Sequence, residues 1–237
     1  MRDDINAILE NQPAQHSLDW YRVRLGKFTG SEVGRLMKRG RGKDAEWSAD
    51  ALSYINEIVA ERMLNPAVVE VDELFEEYLM QHIATSKAMA WGTDQELNAR
   101  NMYAKTHNVK ITSCGSIANN AYFASSPDGL VLEHNGCIEI KSPKNTTHTS
   151  YLANIHTAED LKAVKPEYYW QCIAHMVATL CDWCDWMSYC PFSQRPLHVV
   201  RIDFNADEAI AMMQRVEAAE KMAQDIINSI KQAVIVS

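Results

Sequence analysis

Tyr122-Phe-Ala-Ser-Ser-Pro-Asp-Gly-Leu-Val-Leu-Glu-His-Asn-Gly-Cys-Ile-Glu-Ile-Lys141 is the stretch whose reading decides the fold of this chain. Its pattern predicts short strands over Tyr122–Ser125 and Leu130–Glu133, with Pro127-Asp128-Gly129 as turn chemistry between them, so the two read as a hairpin. Asn135-Gly136 reverses the chain into a third strand, Cys137–Lys141. In that strand the two-residue period sends Ile138 and Ile140 to one face and Glu139 and Lys141 to the other. Asp128, at the end of the preceding strand, reaches the polar face.

Two carboxylates and an ammonium on one edge of an apolar sheet need compensation, because the acids repel each other and partial burial raises their pKa. A divalent hard cation supplies it, since Mg²⁺ takes oxygen ligands from one or two carboxylates together with phosphate oxygens of a substrate. The bland alternative is a surface hairpin on which Glu139 and Lys141 form a weak exposed pair.

The chain has 237 residues, enough to bury a sizeable core, and no interior Pro/Gly/Ser-rich linker, so a single domain over residues 1–237 is expected. The apolar runs are too short to span a bilayer and the first residues lack a signal-peptide core, which predicts a soluble protein of the cytoplasm with no membrane partner. The net charge of −8 argues against wholesale coating of nucleic acid. Its distribution argues otherwise: from Arg22 to Lys43 eight basic residues (Arg22, Arg24, Lys27, Arg35, Lys38, Arg39, Arg41, Lys43) face one acid, Glu32, a local +7 on a body of −15. Such a patch holds a polyanion at one place and rejects it elsewhere, unless it is a solvated loop with basic helix ends. The six cysteines read as buried free thiols; Cys181-Asp-Trp-Cys184 lacks a second pair at zinc spacing.

Along the chain, helices are predicted over Asp4–Asn11 and Ser17–Arg24, the second capped by Ser17 and stopped by Gly26. Thr29-Gly30-Ser31-Glu32 reads as the start of another helix. Its free amides and the Ser31 hydroxyl suit a phosphate that Arg24 would join, or Ser31 merely caps. Further helices are expected over Ser48–Leu64, with Leu52, Ile55, Val59 and Met63 inward, over Asp72 to about Ala88, and over Gly92–Thr106 with Glu96 in its first turn. A strand at Val109–Thr112 follows, then, beyond the central stretch, a helix over Pro166–Cys181 on which Gln171 and His175 share a face. Strands at Trp183–Tyr189 and Leu197–Asp203 precede a long helix over Ala206–Val234. The sum is an α/β fold: a central mixed, mostly antiparallel sheet flanked by helices.

Several separated motifs together resemble one family. Trp20-x-x-x-Arg24-x-Gly26, Thr29-Gly30-Ser31-Glu32, Trp91-Gly92 with Glu96, Ser126-Pro127-Asp128-Gly129-Leu130, Glu139-Ile140-Lys141 and Gln171 are similar to the phage lambda exonuclease and YqaJ-type viral recombinase nucleases, within the PD-(D/E)xK nuclease superfamily. The resemblance implies a PD-(D/E)xK core and a Mg²⁺-dependent exonuclease that digests one strand of duplex DNA from its 5′ end and leaves a 3′ tail for recombination by strand annealing. It implies two Mg²⁺ ions, with Mn²⁺ as a possible substitute, held by Asp128, Glu139 and the Ile140 carbonyl. Glu96 would complete the site directly or through water, and Lys141 and Gln171 would position water or steady charge on the phosphate. Arg24, Ser31 and Ser126, with Thr29 beside them, map onto a pocket for the 5′ phosphate. It further implies a ring-shaped homotrimer around DNA ends, a single-strand annealing partner and a phage or prophage setting in a bacterial host. His175 and Gly40–Lys43 carry no transferable motif. The competing expectations are another PD-(D/E)xK nuclease acting on circles or flaps, and a non-catalytic DNA-end-binding recombination protein.

Overall fold

The computed structural model describes residues 9, 12–41, 46–82 and 87–235. The helix expected over Asp4–Asn11 lies outside the described residues except for Leu9, which is helical, and so do Gly42 and Lys43 of the basic loop.

Helix α1 (Leu18–Arg24) opens where the Ser17 hydroxyl accepts from the Trp20 amide, and it is followed by Gly26 at φ +70°, where a side chain would be strained. A two-residue strand β1 (Phe28–Thr29) comes next, then a single helical turn, α2 (Val33–Leu36). The helix expected to open at Thr29–Glu32 is therefore shorter and later than the sequence suggested: Glu32 stands at its cap position, and no side chain caps it. Helix α3 (Ala49–Arg62) is capped by Ser48. Its buried face is Ala51, Tyr54, Ile55, Ile58 and Val59; Leu52 and Met63, expected inward, are exposed. The spacing of three and four holds, but the stripe is rotated by one residue.

Asn65 caps a short helix α4 (Pro66–Glu70), and α5 (Asp72–His82) follows. Helix α6 (Lys87–His107) starts five residues before Gly92, so Glu96 lies well inside it and not in its first turn. The expected strand at Val109–Thr112 is reduced to one bridge between Thr112 and Leu130.

The central stretch departs most from expectation. Strand β3 (Phe123–Ser125) does not form a hairpin with β4 (Gly129–Val131); the two belong to different sheets. β3 lies between β1, to which it is parallel, and the two-residue β2 (Ile117–Ala118), to which it is antiparallel. β4 pairs antiparallel with β5 (Gly136–Lys141) through a 3₁₀ turn and Asn135 at φ 50°, so the second hairpin is present, with the strand expected to run to Glu133 ending at Val131 where the 3₁₀ turn begins. The segment Ser126–Asp128 thus carries the chain from one sheet to the other.

Between β5 and its parallel neighbour β6 (Trp183–Tyr189) run three helices: α7 (Asn145–Asn154), α8 (Ala158–Val164) and α9 (Pro166–Thr179). A parallel pair needs such a crossover. Neither α7 nor α8 is evident in the sequence reading. β6 pairs antiparallel with β7 (Leu197–Asp203), giving a mixed sheet of order β4-β5-β6-β7 in which only β5–β6 is parallel. Helix α10 (Ala206–Ile235) closes the chain and buries Ala209, Met212, Val216, Ala219, Ala223 and Ile227 at helical spacing.

The four-stranded sheet is covered on both faces. Ile138, Ile140, Met187 and Tyr189 pack with Ala99 and Tyr103 of α6 on one side. Cys137, Cys184 and Trp186 join the larger core with α9, α3 and α10 on the other. The two-residue period of β5 therefore puts Glu139 and Lys141 on the side that α9 covers. All six cysteines are free and buried. The Cys137 thiol meets those of Cys181 and Cys184 within the core, which accords with packing thiols. Among the described residues no helix is long and apolar enough to cross a membrane.

Candidate active site

Asp128 follows directly from the link between the sheets. Its amide donates to the Ile138 carbonyl, and its Oδ2 accepts from the Ile140 amide at 2.6 Å, so the backbone of β5 fixes the carboxylate. Glu139 is 2% exposed and is held at both oxygens. Oε1 receives the Lys141 ammonium at 2.6 Å, and Oε2 receives His175 Nε2 at 2.7 Å. Lys141 also donates to Gln171 Oε1 at 3.0 Å and lies 4.8 Å from the centre of the Tyr168 ring. Gln171 and His175, one helical turn apart on α9, thus face the two polar residues of β5.

The electrostatics follow from crowding. Burial pushes the Asp128 carboxyl well above its ordinary range, and the charges of Glu139 and Glu96 push it further. Glu139 goes the other way: burial raises it, but Lys141 and His175 together hold it below the usual value. Burial pulls the Lys141 ammonium down, yet Glu139 and Asp128 outweigh that and raise it. One acid is left undercompensated next to a fully compensated one.

Among the described residues no three His, Cys, Asp or Glu side chains already stand as a cage for an ion. The donor set nevertheless fits a hard divalent cation. It offers carboxylate oxygens, a strand carbonyl at Ile140 and, at Asp128, a carboxyl whose charged form burial, Glu139 and Glu96 disfavour and a cation would favour. Glu96 itself is half-buried on α6 and forms an ion pair with Arg100, one turn on, while Arg100 Nη1 donates to the Ser113 hydroxyl at 2.9 Å.

A second cluster stands beside the first. Arg24 Nη1 donates to Ser126 Oγ at 2.9 Å and Nη2 to Ser31 Oγ at 3.5 Å, and the guanidinium lies 4.1 Å from the centre of the Trp20 ring. The Thr29 hydroxyl is 3.2 Å from Ser31 Oγ, but it is buried against Tyr54, so it supports Ser31 from behind. Burial pushes the Arg24 pKa down, the sign of a cation short of solvation that an anion would stabilise. Of the basic run, Arg22, Arg35 and Lys38 are engaged in ion pairs with Asp19, Asp72, Asp50 and Glu57. Arg39 and Arg41 are exposed. Three of the eight basic residues are therefore neutralised within the protein, and Arg24 is the member of the run at the site.

A profile of the YqaJ-like viral recombinase domain matches residues 19–182, a span that includes both clusters. The chain belongs to the YqaJ-like viral recombinase domain family. Among solved structures, the YqaJ-like domain is similar to an alkaline exonuclease from Laribacter hongkongensis, with TM-score 0.74 and 26% identity over 93% of this chain and 100% of that one. The same enzyme in complex with dAMP gives TM-score 0.74 and 27% identity over the same shares. A phage-related exonuclease from Haemophilus somnus 129PT shares the fold, with TM-score 0.65 and 16% identity over 86% of this chain and 96% of that one. No curated protein sequence matches. Family membership, with the fold and sequence shared with the Laribacter enzyme, marks the YqaJ-like domain as a nuclease.

Asp128, Glu139, Lys141 and Gln171 of the YqaJ-like domain thus converge, as do Arg24, Ser31 and Ser126. Glu96 acts on Asp128 through its charge, but its hydrogen bond goes to Arg100. Sequence reasoning left the role of His175 open and did not single out Ser125 or Arg100, which contact the site residues. The place of His175 one turn after Gln171 was the signal that singled it out; for Ser125 and Arg100 nothing marked them out.

Proposed function

We propose that the protein is a divalent-metal-dependent 5′-to-3′ exonuclease that engages 5′-phosphorylated ends of duplex DNA and leaves a 3′ single-stranded overhang. The observation that carries this reading is Ser126. Its hydroxyl belongs to the Arg24–Ser31 cluster, and it stands two residues before Asp128, so an anion pocket and an acid–acid–lysine site are joined by one short link. A terminal phosphate in the pocket would set the next phosphodiester at a fixed distance from the acids.

The site's own groups have separable tasks. Asp128, Glu139 and the Ile140 carbonyl would hold Mg²⁺, with Mn²⁺ as a substitute, and Glu96 would add charge nearby. When bound, the cation supplies charge stabilisation at the phosphate and eases deprotonation of the attacking water. Lys141 stays an ammonium because Glu139 and Asp128 raise its pKa, so it acts as a donor that steadies developing negative charge and not as a base. Gln171 fixes the direction of that ammonium. The same proposal takes residues 1–237 as a single nuclease domain of the PD-(D/E)xK type, a ring-shaped homotrimer around the DNA, and a recombination role beside an annealing protein.

Linear duplex labelled at the 5′ or the 3′ end, with 5′-phosphate or 5′-hydroxyl, and closed circular DNA, each with and without chelator, test the reading together. Mononucleotide release from the 5′ end that needs the phosphate and stops with chelator is the expected result. Rapid cutting of closed circles would instead favour an endonuclease.

A further inference from the structure

His175 is fully buried on α9 and belongs to no role assigned above. Its two ring nitrogens are both engaged, and they point to different sheets. Nε2 is 2.7 Å from Glu139 Oε2 on β5, and Nδ1 is 2.8 Å from Ser125 Oγ on β3. A carboxylate only accepts, so Nε2 donates to Glu139, and the Ser125 hydroxyl shares the bond at Nδ1. Ser125 is 0% exposed, and its neighbour in the chain, Ser126, accepts from Arg24. The opposite side of Ser125 is closed by Gly30, where an added Cβ would fall 2.1 Å from Ser125 Oγ and 3.2 Å from Ala174 Cβ. Gly30 lies between Thr29 and Ser31 of the anion cluster, and its amide donates to the Ala124 carbonyl at 3.0 Å. The strand pair β1–β3 is thus one wall of the anion cluster and also the seat of the His175 contact.

We propose that His175 and Ser125 are positioning residues that couple occupancy of the anion pocket to the orientation of Glu139. A phosphate drawing on Arg24, Ser31 and Ser126 fixes the β1–β3 edge, Ser125 passes that constraint to the imidazole, and the imidazole sets the angle at which Glu139 presents its second oxygen. Partners of ligating carboxylates orient them in this way. The inference rests on the reading of Asp128 and Glu139 as metal-holding acids and of the Arg24 cluster as the 5′-phosphate pocket.

The test uses the full chain as wild type, His175→Ala, His175→Gln and Ser125→Ala. Thermal unfolding in chelator establishes that each variant is folded, and Ser125→Ala, the smallest change, keeps the test available if a histidine variant is not. Two readouts follow. The first is Mn²⁺ binding to the protein without DNA, by titration of the free-ion electron paramagnetic resonance signal. The second is the Mn²⁺ concentration for half-maximal cleavage on 5′-phosphate and on 5′-hydroxyl duplex.

Wild type is expected to need less Mn²⁺ on the phosphorylated end. His175→Ala should bind Mn²⁺ about 10–100-fold more weakly, the usual effect of losing such a partner. Gln at 175 can still donate to Glu139 but has no second ring nitrogen for Ser125. His175→Gln and Ser125→Ala should therefore retain most of the Mn²⁺ affinity while the difference between the two ends disappears. Wild-type Mn²⁺ binding by His175→Ala overturns the proposal, and so does an unchanged end difference in both His175→Gln and Ser125→Ala. A wild type that binds no Mn²⁺ or ignores the 5′ phosphate sinks the exonuclease reading itself, a result distinct from either.

Discussion

Burial and the neighbouring acids Glu139 and Glu96 disfavour the charged form of Asp128, and that has a thermodynamic consequence. Its folded pKa lies above that of the unfolded chain, so it contributes stability below the ordinary carboxylate range, and that contribution is lost as pH rises through the raised value. Asp128→Asn keeps an acceptor for the Ile140 amide and removes the charge. It should abolish cleavage and, in chelator at neutral pH, raise the melting temperature; each 1 kcal/mol relieved appears as about 2–4 °C at this chain length. Below about pH 4, where aspartate is protonated in both states, the gain should vanish. A melting series from pH 3.5 to 8 checks the sign. Lys141→Gln, by contrast, removes a donor at the reacting phosphate and should lower the single-turnover rate by about 10²–10³ while the end is still bound. At this scale the sequence was readable where chemistry is local: Asp128, Glu139 and Lys141 lie within one hairpin's reach. Arg24 and Ser126, 102 residues apart, met only through the family resemblance, because composition holds no record of which distant strands pair. His175 was the harder case. Helical periodicity shows that it shares a face with Gln171, but not that the face meets a carboxylate.

Among elements, legibility followed length and punctuation. α9, β6, β7 and α10 have long periodic runs bounded by proline or asparagine, and their bounds agree with the reading within two residues. β1 and β2 are two residues long, too short for any period to show. α7 is rich in Asn, Thr, His and Ser and has no side-chain cap, so propensity argued against it; its burial of His148 and Tyr151 is tertiary. α8 carried a signal that went unread, the reciprocal Thr157–Asp160 capping box. The end of α9 offers a stability test. Leu180 adopts φ 57° and is 64% exposed, so a branched side chain occupies a left-handed position and gains little burial. Leu180→Gly should stabilise by about 1 kcal/mol, read as a higher denaturant midpoint with unchanged slope. A second test concerns the join of α2 and α3, where Arg35 bonds both Asp50 and Glu57. Hydrogen bonds from Lys38 and Arg35 lower Asp50, and Arg35 lowers Glu57, so these acids stabilise above their unfolded pKa values and lose that effect as pH falls through the folded ones. Both are largely solvent-screened, so Arg35→Met should destabilise modestly at pH 7, and its melting curve should approach that of wild type as pH falls below the ordinary carboxylate range.

For the whole molecule, the proposed engagement of a DNA end turns on charge. The net charge is −8, and Arg22, Arg35 and Lys38 of the basic run near the pocket are already paired within the protein. Few cations remain to displace counterions, so binding of a duplex end in chelator should weaken with salt at a log–log slope no steeper than about −4 per protomer. A much steeper slope would mean that ion pairs such as Arg35–Asp50 open for DNA. Exposed Met80, Leu97 and Phe192 are apolar side chains that contact between copies would cover. If the ring forms, light scattering should return three times 26.8 kDa. The buried thiols have a practical side. With all six sulfhydryls enclosed, a maleimide finds no native target on the folded protein. A cysteine introduced at exposed Asn228 on α10 would then be a unique handle, and a dye placed there could follow one molecule travelling along one DNA without first stripping the protein of its own cysteines.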